Sequence, residues 1–367
     1  MARLLVFLLL PFSWLYAGVM AVRNWLYDVG WKKSEVFAVP LLCVGNLRVG
    51  GTGKTPHVIW LVEELRRQGH RPAILSRGYG RQTTGPRLAG PADSAGTVGD
   101  EPWQYFGHFA GLAVPVAVAE KRALGVRLLL ENHPEITVVV LDDAYQHRAV
   151  RATLNVLLTE HARPFYEDFV LPAGRLRESR GAAGRADVVI VTKCHPDLGE
   201  AAQAAIRERI GRYSRPGVPV LFSAYEYAEP RSLATTVEWV GNDIVPGSPR
   251  TPTMGAALLL TGIAQPQPLY QYLESQGYII RHHEQLPDHH AFRREDIDAL
   301  QAHWQPGWPI FTTEKDATRL DHPGLWAGRP AMQLDIYTIP VRVAFLGTSA
   351  AELRLLLPDA RPGSSLI

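Results

Sequence analysis

Arg48-Val49-Gly50-Gly51-Thr52-Gly53-Lys54-Thr55 decides the fold of this chain. The apolar run before it, Pro40-Leu41-Leu42-Cys43-Val44-Gly45, predicts a buried strand. After it, Val58, Leu61, Val62 and Leu65 recur at helical spacing until Gly69, so a helix follows. Strand, glycine-rich turn and helix in that order is the setting of a phosphate-binding loop. Glycines let successive backbone N–H groups converge on phosphate oxygens, and the helix N-terminus adds partial positive charge. In this reading Arg48, Val49, Gly50, Gly51, Thr52 and Gly53 wrap the phosphates of a nucleotide. Lys54 reaches the β- and γ-phosphates and the Thr55 hydroxyl holds Mg²⁺. The usual pattern carries glycine where Arg48 stands, so the loop is a variant.

Working outward, short apolar runs alternate with helical stretches as far as residue 223: Pro72–Leu75, Val114–Val118, Ile136–Leu141, Leu154–Leu158, Val188–Val191 and Val218–Phe222. That alternation predicts a mostly parallel sheet covered by helices on both faces. A polar, proline-containing patch, Glu229–Arg250, reads as a junction. A second unit follows, with strands at Ala257–Thr261, Tyr278–His283 and Pro309–Thr312 and helices at Pro268–Gln276 and Arg294–His303. Gln333–Phe345 is strand-like and is expected to return to pair near the junction, and the tail after Leu357 is expected to fray. The expected fold is therefore α/β, a P-loop NTPase-like, mostly parallel sheet with helices on both faces plus a smaller C-terminal α/β domain. Its expected divisions are a membrane-associated helix (1–30), the phosphate-loop core (31–228), the smaller domain with hinge strands at both ends (229–345), and a C-terminal segment and tail (346–367).

With 367 residues, 46% of them hydrophobic and 20% charged, the chain can build two cores. A formal net charge of +2 gives no general affinity for nucleic acid. Two cysteines, Cys43 and Cys194, sit in apolar runs, a reduced pattern with neither a disulfide framework nor zinc spacing. Leu4 to Val22 carries no charge and is interrupted by Pro11. It could span a bilayer, lie in one leaflet as a kinked anchor, or be a buried core helix; a cleaved export signal would separate an ATP user from ATP. Trp14, Tyr16, Trp25, Tyr27 and Trp31 suit the headgroup level.

Several other stretches could carry chemistry. Val138-Val139-Val140-Leu141-Asp142-Asp143 ends a buried strand with two carboxylates, the place where an aspartate holds Mg²⁺ or its water opposite a phosphate loop. Asp100 and Glu101 could bind Mg²⁺, accept a proton or solvate a turn, and the turn reading leads. Arg77 and Arg81 on one glycine-rich loop, and Arg175, Arg177, Arg180 and Arg185 on another, suit anionic groups or plain solvent. Lys121-Arg122 opens a helix and reads as a solvated face. Asp288 beside His289 could orient an imidazole for proton transfer, or cap the next helix. Thr313-Glu314-Lys315-Asp316 has capping-box form. Thr192-Lys193 resembles a base-reading position without the aspartate that recognises guanine, which favours ATP.

Together these stretches resemble the tetraacyldisaccharide 4′-kinase family, the lipid A 4′-kinases of Gram-negative bacteria. The resemblance runs through Val44-Gly45-Asn46-Leu47, Gly50–Pro56, Ser76–Arg81, Gly99–Pro102, Leu141–His147, Leu171–Glu178, Thr261–Ala264, Pro287-Asp288-His289 and Thr313–Ala317, in that order. It implies transfer of the γ-phosphate of ATP to the 4′-hydroxyl of a tetraacyl disaccharide 1-phosphate, a glycolipid, on the cytoplasmic face of the inner membrane. It implies Asp100 and His289 as the proton-accepting dyad, with Asp142, Asp143 and Glu101 serving Mg²⁺ and the phosphates. It also implies Arg77, Arg122, Arg177 and Glu178 along the phosphate and sugar site. A monomer is expected. The rival reading is a membrane-associated regulatory ATPase of the partitioning type, whose signature lysine is replaced here by Val49.

Overall fold

The computed structural model describes residues 2–233, 238–240, 243–245, 251–288, 290–320, 325 and 335–359. Helix α1 (Ala2–Asp28) precedes β1 (Leu41–Asn46), α2 (Lys54–Arg67), β2 (Pro72–Ser76) and β3 (Arg87–Leu88). Next come α3 (Ala95–Val98), α4 (Asp100–His108), β4 (Val116–Val118), α5 (Arg122–Asn132) and β5 (Val138–Asp142). The first half closes with β6 (Leu154–Glu160), β7 (Val188–Thr192), α6 (Glu200–Gly211) and β8 (Val220–Tyr227). Beyond it lie β9 (Arg231–Ser232), β10 (Glu238–Val240), β11 (Asp243–Val245), β12 (Ala256–Thr261), α7 (Gln267–Ser275), β13 (Ile279–Gln285) and α8 (Arg294–His303). The described chain ends with β14 (Ile310–Thr313), α9 (Glu314–Leu320), β15 (Ile336–Ile339), β16 (Val341–Phe345) and α10 (Ser349–Leu355).

The first sheet has nine strands in the order β16-β8-β7-β6-β1-β5-β2-β4-β3, parallel throughout except at its two edges. Side chains alternate across a strand, and both faces are covered, so the central strands bury apolar side chains on both faces and turn polar at their carboxyl ends. Leu41, Cys43, Val139, Leu141 and Val189 enter the core on one face; Leu42, Val44, Val138, Val140 and Ile190 enter the core on the other. Val58, Leu61, Val62 and Leu65 of α2 seal the second face. Since β1 lies between β5 and β6 while the next strand, β2, lies beyond β5, the strand order reverses at β1. Ligands collect at the carboxyl ends of strands at such a reversal.

The second sheet is β13-β12-β14-β15-β9, parallel but for β9. Helices α8 and α9 cover one face through Ile297, Leu300 and Leu320, and α7 covers the other through Leu269 and Leu273. After β15 the chain crosses back, and β16 pairs antiparallel with β8; this is the expected return of the strand-like segment.

Two local expectations change. Asp100 and Glu101 occupy the first turn of α4, not a free turn. Asp288 does not cap α8; Asp296 does, its Oδ2 accepting the Arg293 N–H at 2.7 Å. The chain after β16 forms α10, and Leu353 and Leu357 bury into the first core. Pro246-Gly247-Ser248-Pro249 lies outside the described residues. Cys43 and Cys194 are both free and buried.

Candidate active site

The phosphate loop is shaped from below. Asn46, at the end of β1, donates through Nδ2 to Thr52 Oγ1 at 2.6 Å, and Thr192, at the end of β7, donates to the Thr52 carbonyl at 2.9 Å. Gly53 enters α2 with φ +86°, and a Cβ there would fall 1.9 Å from the Tyr225 hydroxyl oxygen, so only glycine fits. His57 brackets the first turn, with Nδ1 2.8 Å from the Gly53 carbonyl and Nε2 2.9 Å from Ser223 Oγ. Burial pushes its pKa down to about 4. Lys193 extends its ammonium to the Gly51 carbonyl at 2.6 Å.

Arg48 explains how the variant loop works without its first glycine. Its side chain leaves the loop, Nε donating to Asp168 Oδ2 at 2.7 Å with Glu160 3.9 Å from Nη1. Its backbone bridges Leu176, the Val49 N–H donates to the Arg175 carbonyl at 2.9 Å, and the Arg177 N–H donates to the Leu47 carbonyl at 2.7 Å. The segment around residues 170–177 thus splints the loop and brings Arg175 and Arg177 beside it.

Opposite the loop, β5 delivers the acidic pair, with Asp142 in register with Val44 of β1. Lys54 Nζ lies 3.6 Å from Asp143 Oδ1, and Arg177 Nη1 meets both Asp143 oxygens at 2.9 and 3.1 Å. Burial alone would raise the Asp143 carboxyl, but Lys54 and Arg177 hold it below the usual carboxylate range. Asp142 is different. Burial, with Asp143 and Glu101 nearby, pushes it up to about 6. Its Oδ2 accepts from Ser76 Oγ at 3.0 Å, whereas Oδ1 is buried without a hydrogen-bond partner. The Tyr105 hydroxyl, beside Thr55 and Asp142, is likewise buried and unpartnered. An orphaned carboxylate oxygen next to Thr55 fits a cation that completes its shell with nucleotide phosphates. No cluster of three or more His, Cys, Asp or Glu side chains suited to a metal occurs among the described residues, so any Mg²⁺ would need those phosphates.

Two expected wall residues are placed otherwise. Arg122, only 1% exposed, folds under the end of β5 and donates to the carbonyls of Ala119 (2.7 Å) and Asp142 (3.2 Å). Its long side chain finds strand-end carbonyls within reach, so it braces the acidic pair and presents nothing to solvent. Glu178 is fully buried between Arg185 and Arg23. Arg77 is exposed on the loop after β2. That loop abuts the start of α4 through two glycines: a Cβ on Gly99 (φ +98°) would lie 3.1 Å from Gly78 backbone atoms. Arg81 is tied to Glu120.

Asp100, at the head of α4, meets the second sheet. Arg319 of α9 reaches its Oδ2 through Nε at 2.8 Å and Nη2 at 2.7 Å. Thr313 Oγ1 accepts the Asp316 N–H at 3.0 Å, so the capping motif forms as expected. Asp316 also receives the Gly262 N–H at 3.0 Å. Asp288 pairs with Lys315 at 3.5 Å. His289 lies outside the described residues. Sequence reasoning missed Arg319, Tyr105, Ser76 and His57. Helical periodicity marked only apolar neighbours, and no local pattern signals a contact made across more than 200 residues.

Helix α1 is long and apolar enough to cross a membrane, yet from Ser13 onward one side of it is bound to the site's support. Ser13 Oγ accepts from Ala173 N and donates to the Val170 carbonyl, both at 2.9 Å; Tyr16 donates to the Arg177 carbonyl at 3.1 Å. Arg23 donates to the Gln146 carbonyl at 2.6 Å. Leu8, Phe12, Leu15, Val19 and Val22 form a separate exposed stripe.

The family model described as Tetraacyldisaccharide-1-P 4′-kinase matches residues 5–358. The chain belongs to that family. Relatives named tetraacyldisaccharide 4′-kinase include one from Cytophaga hutchinsonii, 42% identical over 313 residues and 84% of each chain. Another, from Bacteroides thetaiotaomicron, is 40% identical over 347 residues, covering 92% of this chain and 88% of the relative. Among solved structures, the "apo" form of LpxK from Aquifex aeolicus in complex with ATP superimposes with a TM-score of 0.72 at 28% identity, over 96% of this chain and 98% of that one. The α/β architecture is that of a P-loop kinase, and a tetraacyldisaccharide 4′-kinase is an ATP-using transferase of lipid A biosynthesis.

Proposed function

We propose that this chain transfers the γ-phosphate of ATP to the 4′-hydroxyl of a tetraacyl disaccharide 1-phosphate at the cytoplasmic face of the inner membrane. The observation that carries the reading is the convergence of Lys54, Asp142 and Asp143 where β1 and β5 end side by side. Phosphoryl transfer passes through a loose transition state, so positioning and charge neutralisation matter more than a strong base. The backbone of Arg48–Gly53 and the side chain of Lys54 cradle the phosphates. Thr55 and Asp142 would hold Mg²⁺, with Glu101 and Asp143 close by. Bound there, the ion would offset the negative charge of the nucleotide phosphates.

Asp100 takes the sugar hydroxyl's proton, with His289 as its partner from the segment after β13. Arg77, Arg175 and Arg177 draw in the anionic headgroup. Arg122 and Glu178 act from behind, bracing the acidic pair and the splinting segment. The exposed stripe of α1 lies in one leaflet while its polar stripe stays docked, which presents the cleft to a substrate whose acyl chains remain in the bilayer. All these side chains come from one chain, so a monomer suffices. The partitioning-type ATPase is not favoured, since the matched relatives are kinases.

The test is incubation of the purified chain with γ-labelled ATP and disaccharide 1-phosphate in mixed micelles. Label moves to the lipid, and Lys54→Ala lowers kcat by about two orders of magnitude. Label that appears only as inorganic phosphate would overturn the reading.

A further inference from the structure

Arg319 is the point at which the second sheet touches the head of α4. Its guanidinium is fixed from behind, Nη1 lying 3.2 Å from Asp316 Oδ1 and 3.3 Å from the Gly262 carbonyl. Asp316 is in turn held by the Gly262 N–H at 3.0 Å and by Thr313 Oγ1 at 2.8 Å. Both Arg319 and Asp316 side chains are nearly inaccessible, at 6% and 0% exposure. From this mount the other edge of the fork, Nε and Nη2, closes on a single atom, Asp100 Oδ2, at 2.8 and 2.7 Å. A guanidinium facing a carboxylate usually takes both oxygens in a fork-to-fork pair. Here both donors reach Oδ2, which ties the carboxylate to the mount.

We infer that Arg319 is a positioning residue for phosphoryl transfer: by clamping the Asp100 carboxylate through Oδ2 it fixes the rotation in which Asp100 meets the acceptor hydroxyl. The inference rests on the proposal that Asp100 takes the acceptor's proton. Proton removal is efficient only when the base lies within hydrogen-bond reach in a defined direction. A carboxylate in the first turn of a helix has a broad torsional well, and a rigid cation from another element narrows it. The clamp exists only while α9 sits against α4. Contact between the two sheets therefore assembles the base, and the site is complete only when the second sheet is seated.

The test is a double-mutant cycle on the full chain, with label transfer to the lipid as the rate and equilibrium ATP binding as the check on folding. Arg319→Ala lowers kcat about 10- to 100-fold with the ATP dissociation constant within about twofold, and Arg319→Lys, which keeps the charge but loses the two-donor edge, recovers part of the loss. In an Asp100→Ala background, Arg319→Ala adds no further loss, because its action passes through the missing carboxylate. Equal losses from Arg319→Ala in both backgrounds, or a near-normal kcat in Arg319→Ala beside an impaired Asp100→Ala, would overturn the inference alone. Near-normal turnover in Asp100→Ala itself would overturn the reading beneath it. If Arg319→Ala fails to bind ATP, Arg319→Lys carries the same cycle.

Discussion

His57 sits one turn into α2 with Nδ1 against the Gly53 carbonyl and Nε2 against the Ser223 hydroxyl, so its neutral form donates through Nδ1 and accepts at Nε2. Burial holds its folded pKa at about 4, below the ordinary 6.5. A depressed folded pKa contributes stability that is present above the unfolded value and is lost as pH falls toward the folded one. The nucleotide-free protein should therefore lose up to about 3 kcal/mol between pH 7 and pH 4 through this residue, at ~1.4 kcal/mol per pH unit. His57→Gln should remove that part of the slope in urea melts; identical slopes in both proteins would refute the assignment. Residues of this kind show what was legible in the sequence. Lys54, Thr55 and the Asp142–Asp143 pair could be read directly, because their chemistry is tied to a local strand–loop–helix pattern. His57 and Arg122 could not. Each is defined by what folds over it, Ser223 in one case and the end of β5 in the other.

The same boundary runs through the elements. Buried strands and amphipathic helices announce themselves by periodicity, and Arg294–His303 emerges with the expected ends. The start of α4 does not, because Gly99-Asp100-Glu101-Pro102 carries turn chemistry until Gly99 is seen packed on Gly78. Gly99→Ala would force a non-glycine residue to φ +98° and push a methyl within 3.1 Å of the Gly78 backbone. The expected cost is about 1–3 kcal/mol of stability, with a larger fall in kcat than rise in the ATP KM, since Asp100 is the next residue. A variant with wild-type melting and kcat would show that the close approach is not required. Helix α1 makes the complementary case. Its sequence left spanning and lying flat equally open, and the polar contacts of Ser13, Tyr16 and Arg23 favour lying flat. Phe12→Ser/Leu15→Ser/Val19→Ser alters three exposed side chains, each worth roughly 1.5–3 kcal/mol when buried in an apolar phase. Vesicle cosedimentation should fall more than tenfold while the melting temperature holds. Undiminished cosedimentation would move the membrane contact to another surface.

At the scale of the molecule, the two sheets are joined twice, by the chain from β8 to β9 and by the return from β15 to β16. The crossings are tied together where the Ala228 N–H donates to the Pro340 carbonyl at 2.8 Å. Composition and periodicity supplied the two α/β units and the returning strand, but not the fact that both crossings share one hydrogen-bonded point. Placing them side by side leaves one axis about which the second sheet can swing, and α4 against α9 is the contact such a swing would break. Proline narrows the motions available there, because its ring fixes φ near −65°. Pro340→Gly keeps the carbonyl that Ala228 uses and frees the backbone at the crossing. The core of neither sheet is touched, so unfolding should change by no more than about 1 kcal/mol. If seating of the second sheet completes the site, the looser joint lowers the fraction of molecules with Arg319 on Asp100. Hinge variants of this kind change kcat and KM together, so kcat should drop severalfold and the ATP KM should rise. Steady-state kinetics on the lipid acceptor measures both. A Pro340→Gly enzyme with unchanged kcat and KM would mean that the two sheets move as one body during turnover.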